Sequence, residues 1–213
     1  MTPERAEAFF TRSDGGFRFA RWTRPLAPVI FGTDDASLTP LKDGIRETAA
    51  LAGLTLNDVD AELGANMIVI FCARWSELDD IPHLDRLIPD LRLLIDRLGQ
   101  AGANQYRSFA FTPEGSLRAC TILLCQDAEL GAMSALTLAR LQTVQSLLLW
   151  SDQAFRSESP LGRVQDGADP IVTPEIAALL RAAYAPVLPA ASTDPAHAHR
   201  LAARARLLLG TLA

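Results

Sequence analysis

Two continuous apolar runs, Met67-Ile68-Val69-Ile70-Phe71-Cys72 and Ala119-Cys120-Thr121-Ile122-Leu123-Leu124-Cys125, constrain this chain more than any other feature. Each has the length of a strand and neither alternates apolar with polar residues, which is the pattern of strands covered on both faces. A sheet built on them needs helices packed over it. Leu41, Ile45, Ala49 and Ala52 supply one such helix, with Thr39 as its cap, Pro40 as its opening residue and Gly53 as its stop. A second apolar series, Ile81, Leu84, Ile88, Leu91, Ile95 and Leu98, recurs every three or four positions. Pro89 interrupts it, so the series predicts a break near Ile88 and a cleaner helix from Pro89 to Leu98, stopped by Gly99.

The remaining segments fill out a mixed sheet. Phe17 to Trp22 reads as a short strand, and Leu26 to Phe31 as a second one that Pro28 confines to an edge or to its first residues. Tyr106 to Phe111 and Leu117 to Cys125 form a hairpin around Thr112-Pro113-Glu114-Gly115-Ser116. From Ser134 to Trp150 the chain is apolar on most sides of a helix, which marks that helix as buried. Ser151 to Pro170 is a loop, Thr173-Pro174-Glu175 opens a further helix, and a last amphipathic helix runs from about Asp194 to Leu209 with a stripe of Leu201, Ala205, Leu208 and Leu212. This order gives an α+β fold, an α/β sandwich with a mixed sheet, a first crossover helix, a buried central helix and C-terminal helices.

Composition removes several classes of function. With 213 residues, of which 49% are hydrophobic, the chain can bury a core without disulfide or metal staples. Its net charge is −5 and its Arg residues are scattered among acidic ones, so no basic stripe exists for nucleic acid. Met1 to Phe10 carries acidic residues and no long apolar run, unlike a signal peptide, and no stretch is apolar enough for a transmembrane span. Cys72, Cys120 and Cys125 lack metal or redox spacing; they read as buried free thiols or, alternatively, as a bridge from Cys72 to one of the other two. Cys120 and Cys125 are five apart on one strand and face opposite sides. His83 reads as a surface or capping residue, and His197 and His199 diverge too far on a helix to share a metal. No nucleophile elbow, phosphate-binding loop or dinucleotide fingerprint occurs.

A set of short motifs adds to this reading: Arg21-Trp22-x-x-Pro25, Ala50-x-Ala52-Gly53-Leu54, Ala65-Asn66-Met67, and Thr173-Pro174 through Tyr184-x-Pro186. In the buried helix, Gln142, Gln145, Leu147, Leu149 and Asp152 fall at the positions of a degraded E-L-T-Q-x-L-G-L-x-N-D pattern. In order and spacing the motifs resemble an uncharacterised bacterial lipoprotein family related to the zincin metallopeptidases, in particular the metzincin branch, over roughly Phe17 to Pro189. The resemblance implies a zincin-like domain at 17–189, with an N-terminal extension at 1–16 and a linker plus C-terminal amphipathic helix at 190–213. It also implies export to the periplasm if a signal peptide was removed, whereas the literal chain suits the cytoplasm.

The departures from a peptidase motif decide what the resemblance implies about activity. The first and second zinc-ligand positions hold Leu141 and Gln145, the general-base position holds Gln142, the bend glycine is Leu148, and the third-ligand position is Ser151. Leucine cannot ligate zinc, and a neutral amide is neither a useful base nor a normal zinc ligand. The expectation is therefore a catalytically inactive metallopeptidase-like domain, without metal or cofactor, acting as a binding or structural module for an unidentified protein or polar ligand. Gln142 and Gln145 read as hydrogen-bonded polar residues of a buried helix or, with Asp152, as polar lining of the old cleft. An alternative is an enzyme of another chemistry that reuses this cleft with acidic loop residues such as Asp166 and Asp169. The terminal helix reads as docked on its own domain, with self-association as the other use of its stripe.

Overall fold

The two apolar runs lie side by side in the middle of a four-stranded sheet, each flanked by a strand that completes its hydrogen bonding. The computed structural model describes residues 1–163 and 167–210; the candidate cleft residue Asp166 and the stripe residue Leu212 lie outside them. In chain order the elements are α1 (Pro3–Ala8), β1 (Phe19–Ala20), β2 (Pro28–Phe31), α2 (Asp35–Leu51), β3 (Met67–Cys72), a 3₁₀ turn (Trp75–Asp80), α3 (Leu84–Leu87), α4 (Leu91–Gln100), β4 (Gln105–Phe111) and β5 (Leu117–Cys125). There follow α5 (Ala128–Gly131), α6 (Ala135–Leu147), β6 (Leu161–Gly162), β7 (Ile171–Val172), α7 (Pro174–Ala183), β8 (Ala191–Ser192) and α8 (Ala196–Gly210).

The main sheet has the order β2-β3-β5-β4, with β2, β3 and β5 parallel and β4 antiparallel, so the fold is α+β around a mixed sheet. α2 makes the crossover from β2 to the parallel β3. Because side chains alternate along a strand, Val69, Phe71, Ile122 and Leu124 face one side and Ile70, Cys72 and Leu123 the other. The first side packs on Leu41 and Ile45 of α2 and on Leu138, Val144 and Leu147 of α6. The second packs on Trp75, Leu78, Leu91, Leu94 and Leu98. Gly44 lets α2 and α6 approach closely, since a Cβ there would lie 2.6 Å from the Ala139 Cβ. Buried Asn66, at the start of β3, clamps the segment before β2: its Oδ1 accepts the Ala27 N–H at 2.8 Å and its Nδ2 donates to the Pro25 carbonyl at 2.9 Å.

Three helix boundaries differ from the sequence reading, each for a local reason. α2 begins at Asp35, not at Pro40, because the Asp34 carboxylate accepts the Ser37 N–H at 2.8 Å and caps the helix one turn earlier; Pro40 lies inside. α4 runs through Gly99 to Gln100 and ends where Gly102 adopts a left-handed φ of 59°. There the N–H groups of Gly102 and Ala103 bond back to the carbonyls of Gly99 and Leu98. α6 stops at Leu147, short of Trp150, for reasons that belong to the site described below. The break near Ile88 is present, with Ile88 extended between α3 and α4.

Both chain ends pack into the same core as the strands. Ala6 and Phe10 at the N-terminus are fully buried, and α8 buries His197, Ala198, Leu201, Ala202 and Ala205. β8 pairs antiparallel with β1 through Phe19↔Ser192. Burying one leucine and several alanines, together with the surfaces they cover, contributes on the order of 5 kcal/mol, comparable with the whole stability of many domains. Deleting the chain after Pro189 is therefore expected to abolish the cooperative thermal transition followed by circular dichroism. A truncated chain that melts within a few degrees of the full one would contradict this packing argument.

His197 adds a pH dependence. Its ring lies 4.4 Å from that of Phe19, and neither ring nitrogen has a hydrogen-bond partner among the described residues. Burial, then the nearby Arg200, outweigh Asp194 and pull its pKa down to about 4 from an ordinary 6.5. The unfolded chain thus takes up this proton below pH 6.5 while the folded chain resists until about 4. Stability on this account is complete above pH 6.5 and declines as the pH falls toward 4. In urea titrations, His197→Leu should remove the decline that precedes carboxylate protonation; an unchanged profile would assign it to other groups.

Candidate functional site

α6 starts conventionally, with the Ser134 hydroxyl accepting the Thr137 N–H at 3.1 Å. Its end is unusual. A helix leaves its last carbonyls without partners, and here they are taken by aromatic donors. The carbonyls of Val144, Ser146 and Leu147 accept from Trp150 Nε1 at 2.8 Å, Trp22 Nε1 at 2.9 Å and Tyr184 Oη at 2.5 Å. Leu148 then swings to an extended conformation (φ −130°, ψ 158°) and bridges to Arg21. Trp150, Ser151 and Asp152 consequently leave the helix and line a cleft with Gln105, Arg107 and Phe109 of β4.

The residues that the motif resemblance aligns with zinc-ligand positions are divided between two clefts. Leu141 lines a cleft of about 530 Å³ that also holds Ser134, Thr137 and Asp169. The Asp169 carboxylate there accepts the Ser134 and Thr137 hydroxyls at 2.6 and 3.0 Å, which keeps it below the usual carboxylate range. Gln145 lines a different cleft, of about 490 Å³, together with Ser151 and Asp152. Ser151 is tied to the end of α1, its N–H donating to the Phe9 carbonyl at 2.8 Å and its hydroxyl to that of Ala8 at 3.2 Å. The Asp152 carboxylate accepts the Ser13 N–H and the Gln153 amide, both at 2.9 Å, and the bonds from Ser13 hold it far below the usual range.

Gln142 is buried and committed. Its oxygen accepts from Arg107 Nη2, and its Nε2 donates to Gln105 Oε1 at 3.2 Å, where Arg107 Nη2 also donates at 2.9 Å. Alternation along β4 places Gln105 and Arg107 on the face that carries Phe109 and Phe111, toward α6. Arg107 Nε is buried without a partner, and this guanidinium makes no ion pair among the described residues. Burial lowers its pKa to about 10, with only the buried Cys120 thiol opposing. Gln145 Oε1 is likewise buried and unpartnered. The sequence reading passed over Arg107, although a charged residue in step with Phe109 and Phe111 on an otherwise apolar face was a usable signal.

The other candidate residues separate from this cleft. His83 is exposed, in keeping with its reading as a surface or capping residue; it sits in the N-cap position of α3 with a left-handed φ of 64°, and its side chain makes no capping bond. The three cysteines are free: Cys72 and Cys125 are lateral neighbours on β3 and β5, and Cys120 belongs to the other face. Burial raises both Cys72 and Cys120 to about 12, so neither is an activated thiol. Among the described residues, no three His, Cys, Asp or Glu side chains come together as metal ligands would, and no helix is long and apolar enough to cross a membrane.

Gln142→Leu is expected to cost about 1–3 kcal/mol, since it strips a half-buried cation of one acceptor. Arg107→Met in that background should recover most of the loss, because the unsatisfied group goes with it. Strict additivity in this double-mutant cycle, read from urea unfolding, would show the two side chains to be energetically independent. No family model, curated protein or solved structure matches the chain, and its functional reading rests on the cleft between β4, α6 and the 150–156 turn.

Proposed function

We propose that the chain is a non-catalytic binding module, a pseudoenzyme of zincin-like descent whose peptidase centre is gone and whose remaining cleft takes a small polar ligand. The observation that carries this reading is the cleft of about 490 Å³ at the end of α6, walled by aromatic rings and holding polar groups without partners. That volume suits a small molecule, and a few convergent polar groups on apolar walls are the usual build of a binding site. Its chemistry offers no activated nucleophile. Among the described residues no His, Cys or Lys lines it, Ser151 donates to a backbone carbonyl, and Asp152 is held so firmly ionised that it makes a poor base at neutral pH. Gln142, at the old general-base position, is shut beneath Arg107 and Gln105.

Two measurements on the full chain test the proposal. Purified protein is expected to contain zinc well below one equivalent and to hydrolyse no peptide; stoichiometric zinc with activity abolished by a chelator would overturn the reading. Trp150 lines the cleft, so its emission should respond when phenylacetamide, phenylacetate or phenethylamine is titrated in. If no member of this panel alters emission or melting temperature, the cleft is not a binding site of this kind.

A further inference from the structure

The binding-module reading does not say which ligand chemistry Arg107 selects. The described residues line several open clefts, among them three of similar size, of about 610, 530 and 490 Å³. The first is lined by Asp79, Asp80, Asp85 and Asp90, and the second has its carboxylate, Asp169, already bonded. Only the third contains a half-buried cation, with its Nε fully buried, that has no anion beside it among the described residues. An arginine presents five N–H donors. Here Nη2 serves two amide oxygens, while Nε and Nη1 have no hydrogen-bond partner among the described residues. Leaving a guanidinium desolvated and unpaired is costly, and the cost is offset when an anion arrives.

We propose that the cleft binds a small organic carboxylate, with Arg107 as its anchor. The inference rests on the binding-module reading and names its ligand class. The charges around the cleft favour a monoanion: Arg107 and Arg156 bring two positive charges and ionised Asp152 one negative, leaving one positive charge. A dianion such as phosphate would meet Asp152 with no second cation to spare. Gln145, whose Oε1 is buried and unpartnered, can accept an N–H beside the carboxylate or, with its amide turned over, donate to it. The rings of Phe109, Trp150 and Phe155 give the rest of the ligand an apolar, aromatic wall, so an arylacetate fits better than a bare acid.

The test uses phenylacetate, the isosteric but uncharged phenylacetamide, and inorganic phosphate, measured by calorimetry and Trp150 emission on the full chain near pH 7. Phenylacetate is expected to bind roughly tenfold or more tightly than phenylacetamide, and phosphate should not displace it. Arg107→Met should erase the preference for the acid, whereas Arg156→Ala at the rim should weaken it less. Equal affinity for acid and amide, stronger binding of phosphate, or an unaltered preference in Arg107→Met would each overturn the assignment. Should Arg107→Met fail to fold, the comparison of acid with amide on the unaltered chain still decides. Binding of phenylacetamide alone removes the carboxylate and leaves the binding module; binding of none of the panel removes both.

Discussion

The free carbonyls at the C-terminal end of α6 are the constraint around which this structure is arranged. They lie at the centre of the molecule, where water cannot serve them, and each unsatisfied buried carbonyl would cost on the order of 1–3 kcal/mol. Trp22, Trp150 and Tyr184 supply the donors. Those three residues come from the segment after β1, the turn after α6 and the end of α7, so meeting one local requirement fixes three distant parts of the chain. Tyr184 Oη also accepts the Trp22 N–H at 3.4 Å, which joins two of the three donors to each other. Because β1 in turn pairs with β8, the segment leading into α8 is drawn into the same arrangement.

This closure also makes the cleft. A helix that continued to Trp150 would have carried its side chains along the axis of α6, over the sheet. By ending at Leu147 the chain instead turns Trp150, Asp152 and Arg156 outward beyond β4, and the hollow between them and the β4 face is the 490 Å³ cleft. Stability and site share components there. Trp150 both serves the Val144 carbonyl and walls the cleft, and it packs on Phe9, Phe10 and Phe155 at ring separations of 4.8 to 5.5 Å. Ligand binding at Arg107 would consequently act on the same aromatic cluster that anchors the N-terminus.

What the sequence revealed follows from the range of the forces involved. Both central strands and the hairpin were legible because burial on two faces leaves an uninterrupted apolar run, a purely local signal. The break near Ile88 was legible for the same reason, since Pro89 acts on its own neighbours. The end of α6 was not, because its donors lie as far away as Trp22, 124 positions upstream. Of the candidate site residues, Gln145, Ser151 and Asp152 do line one cleft, but Leu141 lines another and Gln142 is closed off beneath it. Their relation to Arg107 depended on which face of β4 meets α6. Alternation in Gln105, Arg107, Phe109 and Phe111 contains that information only once the strand order places β4 beside β5.

The position of β4 at the edge of the sheet gives Arg107 a second physical consequence. An edge strand exposes unpaired backbone groups that can recruit another strand, and a charge pointing inward from it is one established safeguard, as is a bulge. β4 has both, with Arg107 turned toward α6 and a register shift between Ala110 and Phe111. Protection of the edge explains why a charge is tolerated there, but any inward charge would serve, including one paired with a carboxylate. It does not explain a guanidinium that has amide oxygens on one nitrogen, no hydrogen-bond partner among the described residues on the other two and an open cleft beside it. That residual imbalance is a property of the site and not of the edge, and an anion in the cleft is the simplest arrangement that removes it.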